Sequence, residues 1–157
     1  LACERSDRFA AVAISAGTLT NQDFTVTPAK TVFPCKPPRS VPILHVHGLA
    51  DLCVPYAGGK STATGNTTLA VEQVISMWRT LNGCGSGTDK TTGEVRRRVW
   101  SSCSEGAAVE LITVKSLGHA WAGSTIYGNP KLCGGATTTQ VSTTQELWKF
   151  FKQHKLP

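Results

Sequence analysis

Continuous apolar runs at two places predict strands that lie in the interior of a sheet. Residues 9–17 and 41–47 are almost wholly apolar, contain β-branched residues and end at or beside a glycine. Strands buried on both faces have this pattern, whereas half-exposed strands alternate apolar and polar residues. A third segment, residues 108–114, follows residues 95–101 after a turn that contains serine and glycine, which predicts a β-hairpin.

Two other stretches have helical periodicity. Within residues 69–81 the apolar side chains fall on one helical face, and Asn82-Gly83 then ends the helix. Residues 141–154 predict a second helix whose inner face carries Leu147, Phe150 and Phe151. The order of these elements predicts an α/β fold with a mostly parallel sheet, flanking helices and a hairpin near residues 95–114.

The composition favours one globular domain covering residues 1–157. Hydrophobic residues make up 40% of the chain and charged residues 17%, which is ordinary for a folded protein. Arg96-Arg97-Arg98, followed by Val99-Trp100, is a candidate basic patch for nucleic acid. Alternation along a strand explains it more simply, because Arg96 and Arg98 would both face water. We therefore expect no nucleic-acid partner and, without a long apolar stretch, no membrane partner.

The six cysteines indicate an oxidising compartment. They are widely spaced and form no C-x-x-C pair, which disfavours zinc and favours disulfides in a secreted, extracellular protein. Six cysteines allow fifteen pairings, all of which stay open at this point. The positions are Cys3, Cys35, Cys53, Cys84, Cys103 and Cys133.

Two of the predicted strands are followed by one ionisable side chain each. Residues 44–48 lead through a glycine to Asp51, and residues 111–118 lead through a glycine to His119. A histidine can accept a proton near neutral pH, and a carboxylate can fix its tautomer and stabilise its charged form. Asp51 and His119 are therefore candidate catalytic residues, in the order in which the last two members of a Ser-Asp-His series occur along α/β-hydrolases.

Two alternatives remain open. His45 and His47 point to the same face of a strand, and the H-x-H-G pattern is a metal-ligand motif in amidohydrolases. The chain is short for the barrel that such enzymes use, so a metal-dependent hydrolase is the less favoured hypothesis. The second alternative is a non-catalytic binding or structural remnant of the hydrolase fold. It is favoured by the absence of a G-x-S-x-G motif from the sequence.

Several segments, in order, resemble the C-terminal half of secreted polyhydroxybutyrate depolymerases and feruloyl esterases, a family of α/β-hydrolases. The resemblance covers nearly the whole chain. The segments are Leu1-Ala2-Cys3-Glu4, Asp7-Arg8-Phe9-Ala10-Ala11-Val12-Ala13, Val41-Pro42-Ile43-Leu44-His45-Val46-His47-Gly48 with Asp51, Val54-Pro55-Tyr56, Trp78 with Asn82-Gly83-Cys84, Val109-Glu110-Leu111, Gly118-His119-Ala120-Trp121 and Leu147-Trp148-Lys149-Phe150-Phe151.

The resemblance implies a secreted carboxylic-ester hydrolase with a Ser-His-Asp triad and no cofactor. Asp51 and His119 would be its acid and base. Trp121 is a candidate for lining the acyl or aromatic pocket because it lies close to His119 in the sequence. The nucleophilic serine and the oxyanion donors would lie upstream of Leu1, in a missing N-terminal half of the same domain, so this segment alone would be inactive. The implied substrates are hydroxyalkanoate polyesters or feruloyl and acetyl esters of plant cell-wall polysaccharide.

The resemblance also bears on the disulfides. It favours a bond between Cys84 and Cys103, which would tie the end of the first helix to the hairpin. Two further pairings are hypotheses. Cys53 with Cys133 would bridge the loops that follow Asp51 and His119, and Cys3 would pair with Cys35.

Overall fold

The computed structural model describes residues 1–20, 35–124 and 133–156, and it has an α/β architecture. Seven strands and two longer helices occur in these residues. In chain order they are β1 (Val12–Ser15), β2 (Ile43–Gly48), β3 (Gly59–Lys60), β4 (Thr67–Thr68), α1 (Val71–Leu81), β5 (Thr88–Thr92), β6 (Val95–Trp100), β7 (Val109–Val114) and α2 (Thr143–Gln153). A short 3-10 turn, Ser104–Gly106, lies between β6 and β7.

The main sheet has five strands in the order β1-β2-β7-β6-β5. Strands β1, β2 and β7 are parallel, whereas β6 runs antiparallel to both β7 and β5. Strands β3 and β4 form a separate antiparallel pair. Three of the five pairings in the described residues are thus antiparallel, so the prediction of a mostly parallel sheet was wrong. The predicted hairpin of residues 95–114 is confirmed, and β5 extends it by one strand.

Strand β1 also differs from its prediction. It lies at one edge of the described sheet, and all four of its residues are partly exposed rather than buried on both faces. The apolar run of residues 9–17 is longer than the four residues that pair with β2. Burial is complete only in β2, whose six residues are all covered, and nearly complete in its neighbour β7.

The two helices cover opposite faces of the sheet. The buried side of α1 packs with Ile43, Val109 and Leu111 in one cluster. On the opposite face, Phe150 of α2 packs with Leu44, Val46 and Ile112. Alternate residues of β2 and β7 serve the two clusters because successive side chains of a strand point to opposite faces. Of the predicted inner residues of α2, Phe150 is buried, whereas Phe151 is 39% exposed.

Three disulfides link elements that are distant in sequence. Cys84–Cys103 joins the end of α1 to the β6–β7 connection, and Cys3–Cys35 joins the N-terminal turns to the segment before β2. Cys53–Cys133 spans 80 residues and bridges the segment after β2 to the one before α2. These are the three pairs named from the sequence. No helix among the described residues is long and apolar enough to cross a membrane.

Candidate active site

Asp51 and His119 meet at the carboxyl ends of two neighbouring parallel strands. Gly48 at the end of β2 pairs with Val114 at the end of β7, so both chains leave the sheet at the same edge. Asp51 follows three residues after Gly48, and His119 follows five residues after Val114. The Nδ1 atom of His119 lies 2.9 Å from Oδ2 of Asp51.

The carboxylate of Asp51 is held on both of its oxygens. Oδ1 accepts hydrogen bonds from the backbone N–H groups of Cys53 at 2.9 Å and Val54 at 2.8 Å. Oδ2 faces His119, and the residue is only 3% exposed. With Oδ1 occupied by the turn, the carboxylate is fixed in rotation and presents Oδ2 to the imidazole.

This arrangement determines where His119 carries its proton. A carboxylate oxygen can only accept a hydrogen bond, so Nδ1 of His119 must be the donor. In the neutral ring the lone pair is then on Nε2, which is the position a general base needs. The His119 side chain is 35% exposed while that of Asp51 is fully buried, so the base can be reached from solvent and its orienting carboxylate cannot.

Glycines let three loops pack backbone against backbone around this pair. A Cβ on Gly48 would lie 2.5 Å from the carbonyl carbon of Leu117, and one on Gly118 would lie 2.6 Å from that of Gly134. Gly134 and Gly135 both have left-handed φ angles, of 66° and 65°. Real Cβ atoms essentially never come within 3.0 Å of another heavy atom. The loops that carry Asp51 and His119 therefore keep this spacing only because side chains are absent there.

The Cys53–Cys133 disulfide joins two of the same loops. Beside it, the backbone N–H of Leu52 donates to the carbonyl of Cys133 at 2.9 Å. On the other side, Gly118 N–H donates to Ala136 O at 3.0 Å, and Ala136 N–H donates to Ser116 O at 2.8 Å. Segment 133–136 is thus held between the Asp51 loop and the His119 loop. Sequence reasoning named the disulfide but missed Gly134 and Gly135, which the Gly-rich composition of residues 123–139 alone did not single out.

His45 and His47 are buried behind the carboxylate, at 1% and 0% exposure. Nε2 of His45 lies 3.1 Å from Nδ1 of His47, and Nε2 of His47 lies 2.9 Å from the Val54 carbonyl oxygen. The two rings are hydrogen-bonded to one another, and His47 is also bonded to the backbone, whereas Nδ1 of His45 is buried without a hydrogen-bond partner among the residues that the structure describes. No group of three or more His, Cys, Asp or Glu side chains within residues 1–20, 35–124 and 133–156 is arranged to hold a metal ion.

The other predicted residues lie around the pair or apart from it. Trp121 is 42% exposed, and its Nε1–H donates to Thr144 Oγ1 at 2.9 Å, which ties the ring to the first turn of α2. The hydroxyl of Ser116 donates to the carboxylate of Glu94. Within the described residues, the ring of His119 is hydrogen-bonded to Asp51 and to no serine.

The three consecutive arginines of β6 are each paired with a carboxylate. Arg97 on one face contacts Glu110 and Glu146, at 3.3 and 2.7 Å. On the other face, Arg96 pairs with Asp89 and Arg98 pairs with Glu72. Opposite charges on neighbouring elements account for this run, and the strand is confirmed. The expectation that both Arg96 and Arg98 face water was wrong for Arg98, because its side chain lies over the Trp100 ring and is 15% exposed, against 49% for Arg96.

Comparison with known proteins adds one observation to this geometry. The chain is 31% identical to "Feruloyl esterase B" of Piromyces equi over 121 aligned positions, which take in 75% of this chain and 22% of that protein. It is also 31% identical to "Putative esterase NocK" of Nocardia uniformis subsp. tsuyamanensis over 168 positions, or 96% of this chain and 46% of that protein. The chain is similar to esterases. It spans less than half the length of these relatives, and no protein-family model matches it.

Proposed function

We propose that this chain supplies the acid and the base of a Ser-His-Asp carboxylic-ester hydrolase. The observation that carries the proposal is the 2.9 Å contact between His119 Nδ1 and Asp51 Oδ2, on a carboxylate whose other oxygen is already filled by two backbone N–H groups. Similarity to proteins named as esterases supports an ester as the substrate class. Residues 1–157 would form part of one α/β-hydrolase catalytic domain.

In the proposed reaction, Nε2 of His119 takes the proton from a serine hydroxyl as its oxygen attacks the ester carbonyl. The resulting imidazolium is stabilised by Asp51 through the Nδ1–H bond, and the proton then passes to the departing alcohol. Water repeats the sequence on the acyl-enzyme and releases the acid. General acid–base catalysis of this kind contributes about 10²- to 10⁴-fold to the rate. The cycle needs no metal or organic cofactor.

The serine is proposed to come from outside these 157 residues, in a G-x-S-x-G segment. Two observations support this. The sequence contains no such motif, and the described part of the chain places no serine in hydrogen-bond contact with His119. The hydroxyl of Ser116 instead donates its proton to Glu94, so the proton is not directed at His119.

The proposed substrates are hydroxyalkanoate polyesters or feruloyl and acetyl esters of plant cell-wall polysaccharide, cleaved outside the cell. Three disulfides fit a secreted protein. Trp121 is proposed to contact the acyl or aromatic part of the ester. Trp121 is 42% exposed, follows His119 by two residues in the sequence and is held by Thr144, so it offers a fixed apolar surface on the loop that carries the base.

The location of the nucleophile can be tested with a fluorophosphonate probe and with p-nitrophenyl acetate. The 157-residue chain alone should neither react with the probe nor hydrolyse the ester above background. The longer polypeptide that contains it should do both, with the label on a serine outside this segment. Turnover by the chain alone that disappears in Ser116→Ala or Ser124→Ala would show that the nucleophile is misassigned. Failure of the longer polypeptide to react would favour a non-catalytic remnant.

A further inference from the structure

Two buried histidines lie directly behind the carboxylate and take no part in the proton transfer proposed above. The ring of His47 packs between His45 and Tyr56, with centroid distances of 5.3 and 5.8 Å. Its Nε2 atom faces two acceptors, Val54 O at 2.9 Å and Asp51 Oδ2 at 3.5 Å. Burying a polar ring costs free energy unless its nitrogen atoms are hydrogen-bonded. The partners of the His47 ring therefore indicate what it does in the fold.

The protons of the two rings follow from the acceptors around them. A carbonyl oxygen only accepts, so Nε2 of His47 must carry the proton that reaches Val54. Burial lowers the pKa of His47 and lowers that of His45 to about 3, so both rings are neutral at ordinary pH. Nδ1 of His47 is then a lone pair, which requires that Nε2 of His45 be its donor. Both rings are therefore Nε2–H tautomers.

Val54 connects this pair to the catalytic carboxylate. His47 holds the Val54 carbonyl, while the Val54 N–H donates to Oδ1 of Asp51. Both backbone polar groups of Val54 are thus hydrogen-bonded, its carbonyl to His47 and its N–H to Asp51. Oδ2 of Asp51 also lies on the positive side of the same His47 N–H, at 3.5 Å.

We propose that His47 is a positioning residue for Asp51, and that His45 fixes the proton of His47 so that it always donates to the Asp51–Val54 turn. Without this clamp the turn would loosen, Oδ1 would lose its two backbone donors, and the carboxylate would rotate away from His119. The catalytic meaning of the clamp rests on the proposed function, but the clamp itself is a property of the fold.

Two measurements test this proposal. The first is made on the unmodified chain, and the second compares it with a matched pair of variants. Long-range ¹H–¹⁵N correlation spectra should show protons on Nε2, and none on Nδ1, of both His45 and His47. In His47→Leu, which has similar bulk but no donor, the Cys53 and Val54 amides should exchange about tenfold faster with solvent, as expected for the loss of one buried hydrogen bond. In His47→Gln, whose amide can still donate to Val54 O, exchange should return towards the wild-type rate.

Amides of β7 serve as the internal reference for any change in global stability. A proton on Nδ1 of His47 in the unmodified chain would overturn the proposal, even if neither variant folds. So would equal Cys53 and Val54 exchange in the Leu variant and the wild type, after correction by the β7 amides. None of these readouts needs ester turnover. The clamp can therefore fail while the triad stands, or stand while the triad fails.

In the longer polypeptide, the same pair of variants separates positioning from a merely structural role. His47→Leu should lower kcat about tenfold or more while leaving KM within about twofold, since a displaced carboxylate affects the transition state rather than substrate binding. His47→Gln should recover most of kcat. Equal loss of kcat in both variants would contradict a role that depends on the donated hydrogen bond.

Discussion

Replacing Gly118 by alanine should separate the two halves of the candidate site. A Cβ at this position would lie 2.6 Å from the carbonyl carbon of Gly134 and 3.1 Å from Cα of Gly135. Unstrained carbon–carbon contacts are about 3.5–4.0 Å, and the added Cβ would also overlap the carbonyl oxygen of Gly134, so one loop must move by more than about 1 Å. All three contacted atoms belong to backbone, so no side-chain rotation can relieve the overlap. His119, the next residue, would be carried with the displaced chain.

The expected cost has two parts. Overpacking of this kind costs about 1–3 kcal/mol of stability. A misplacement of about 1 Å in a catalytic constellation costs about 10² in rate. The 2.9 Å bond between His119 Nδ1 and Asp51 Oδ2 should lengthen beyond hydrogen-bond range. Urea unfolding, the low-field Nδ1–H proton resonance of His119 and p-nitrophenyl acetate hydrolysis by the longer polypeptide would measure the three effects.

Gly85→Ala is the matched control. Its φ angle is not left-handed, and the nearest atoms to an added Cβ are 3.7 and 3.8 Å away, on Ser102. This variant should keep the stability, the His119 resonance and the rate of the wild type. If Gly118→Ala also kept all three, the packing of loops against glycines would not be what holds the pair together.

Three further predictions address the disulfide, the buried histidines and Trp121. Replacing both Cys53 and Cys133 by alanine opens a loop of 80 residues and should lower the free energy of unfolding by about 4–5 kcal/mol. Replacing both Cys84 and Cys103 opens a loop of 19 residues and should lower it by about 3 kcal/mol. Equal urea midpoints for the two double variants would contradict this ranking. Because the pKa of His45 is about 3 in the folded chain and about 6.5 when unfolded, the unfolded state takes up the proton first on acidification. This one group should therefore lower the stability by about 1.4 kcal/mol per pH unit as the pH drops from about 6.5 to 3. The pKa values of His47, Glu72 and Asp89 are also lowered, so His45→Phe should flatten the slope by the share of one proton without abolishing it. An unchanged slope would refute the assignment to His45. Trp121→Ala should leave the melting temperature nearly unchanged and raise KM for aromatic esters by about tenfold, and an unaltered KM would remove Trp121 from the substrate pocket.

Hydropathy predicted those elements whose burial is regular. Strands β2 and β7 follow from their runs of apolar residues, since nearly all of their side chains are buried. Helices α1 and α2 follow from apolar residues that recur with the helical period. Strand β5 did not, since all five of its residues are exposed and it joins the sheet through backbone pairing with β6. A mostly parallel sheet was expected because β5 was not predicted, and its pairing with β6 adds a second antiparallel pair to that of β6 with β7.

Some features of the candidate site could likewise be predicted from the sequence, and others could not. The approach of Asp51 to His119 could be reasoned from the sequence because the carboxyl ends of parallel neighbours share one edge of a sheet. The turn that fills Asp51 Oδ1 and the His45–His47 pair could not, since both depend on how side chains orient in three dimensions. Likewise, Gly134 and Gly135 acquire their role only when segment 133–136 packs against the His119 loop.

The central claim is that Asp51 orients His119 as the base of an ester hydrolase. Its most direct test is the kcat of the serine-bearing polypeptide for p-nitrophenyl acetate, measured with Asp51→Asn and with His119→Gln. The account predicts that both variants fold and bind the ester with similar KM, and that each loses about 10³- to 10⁴-fold in kcat. Wild-type kcat in either folded variant would contradict it.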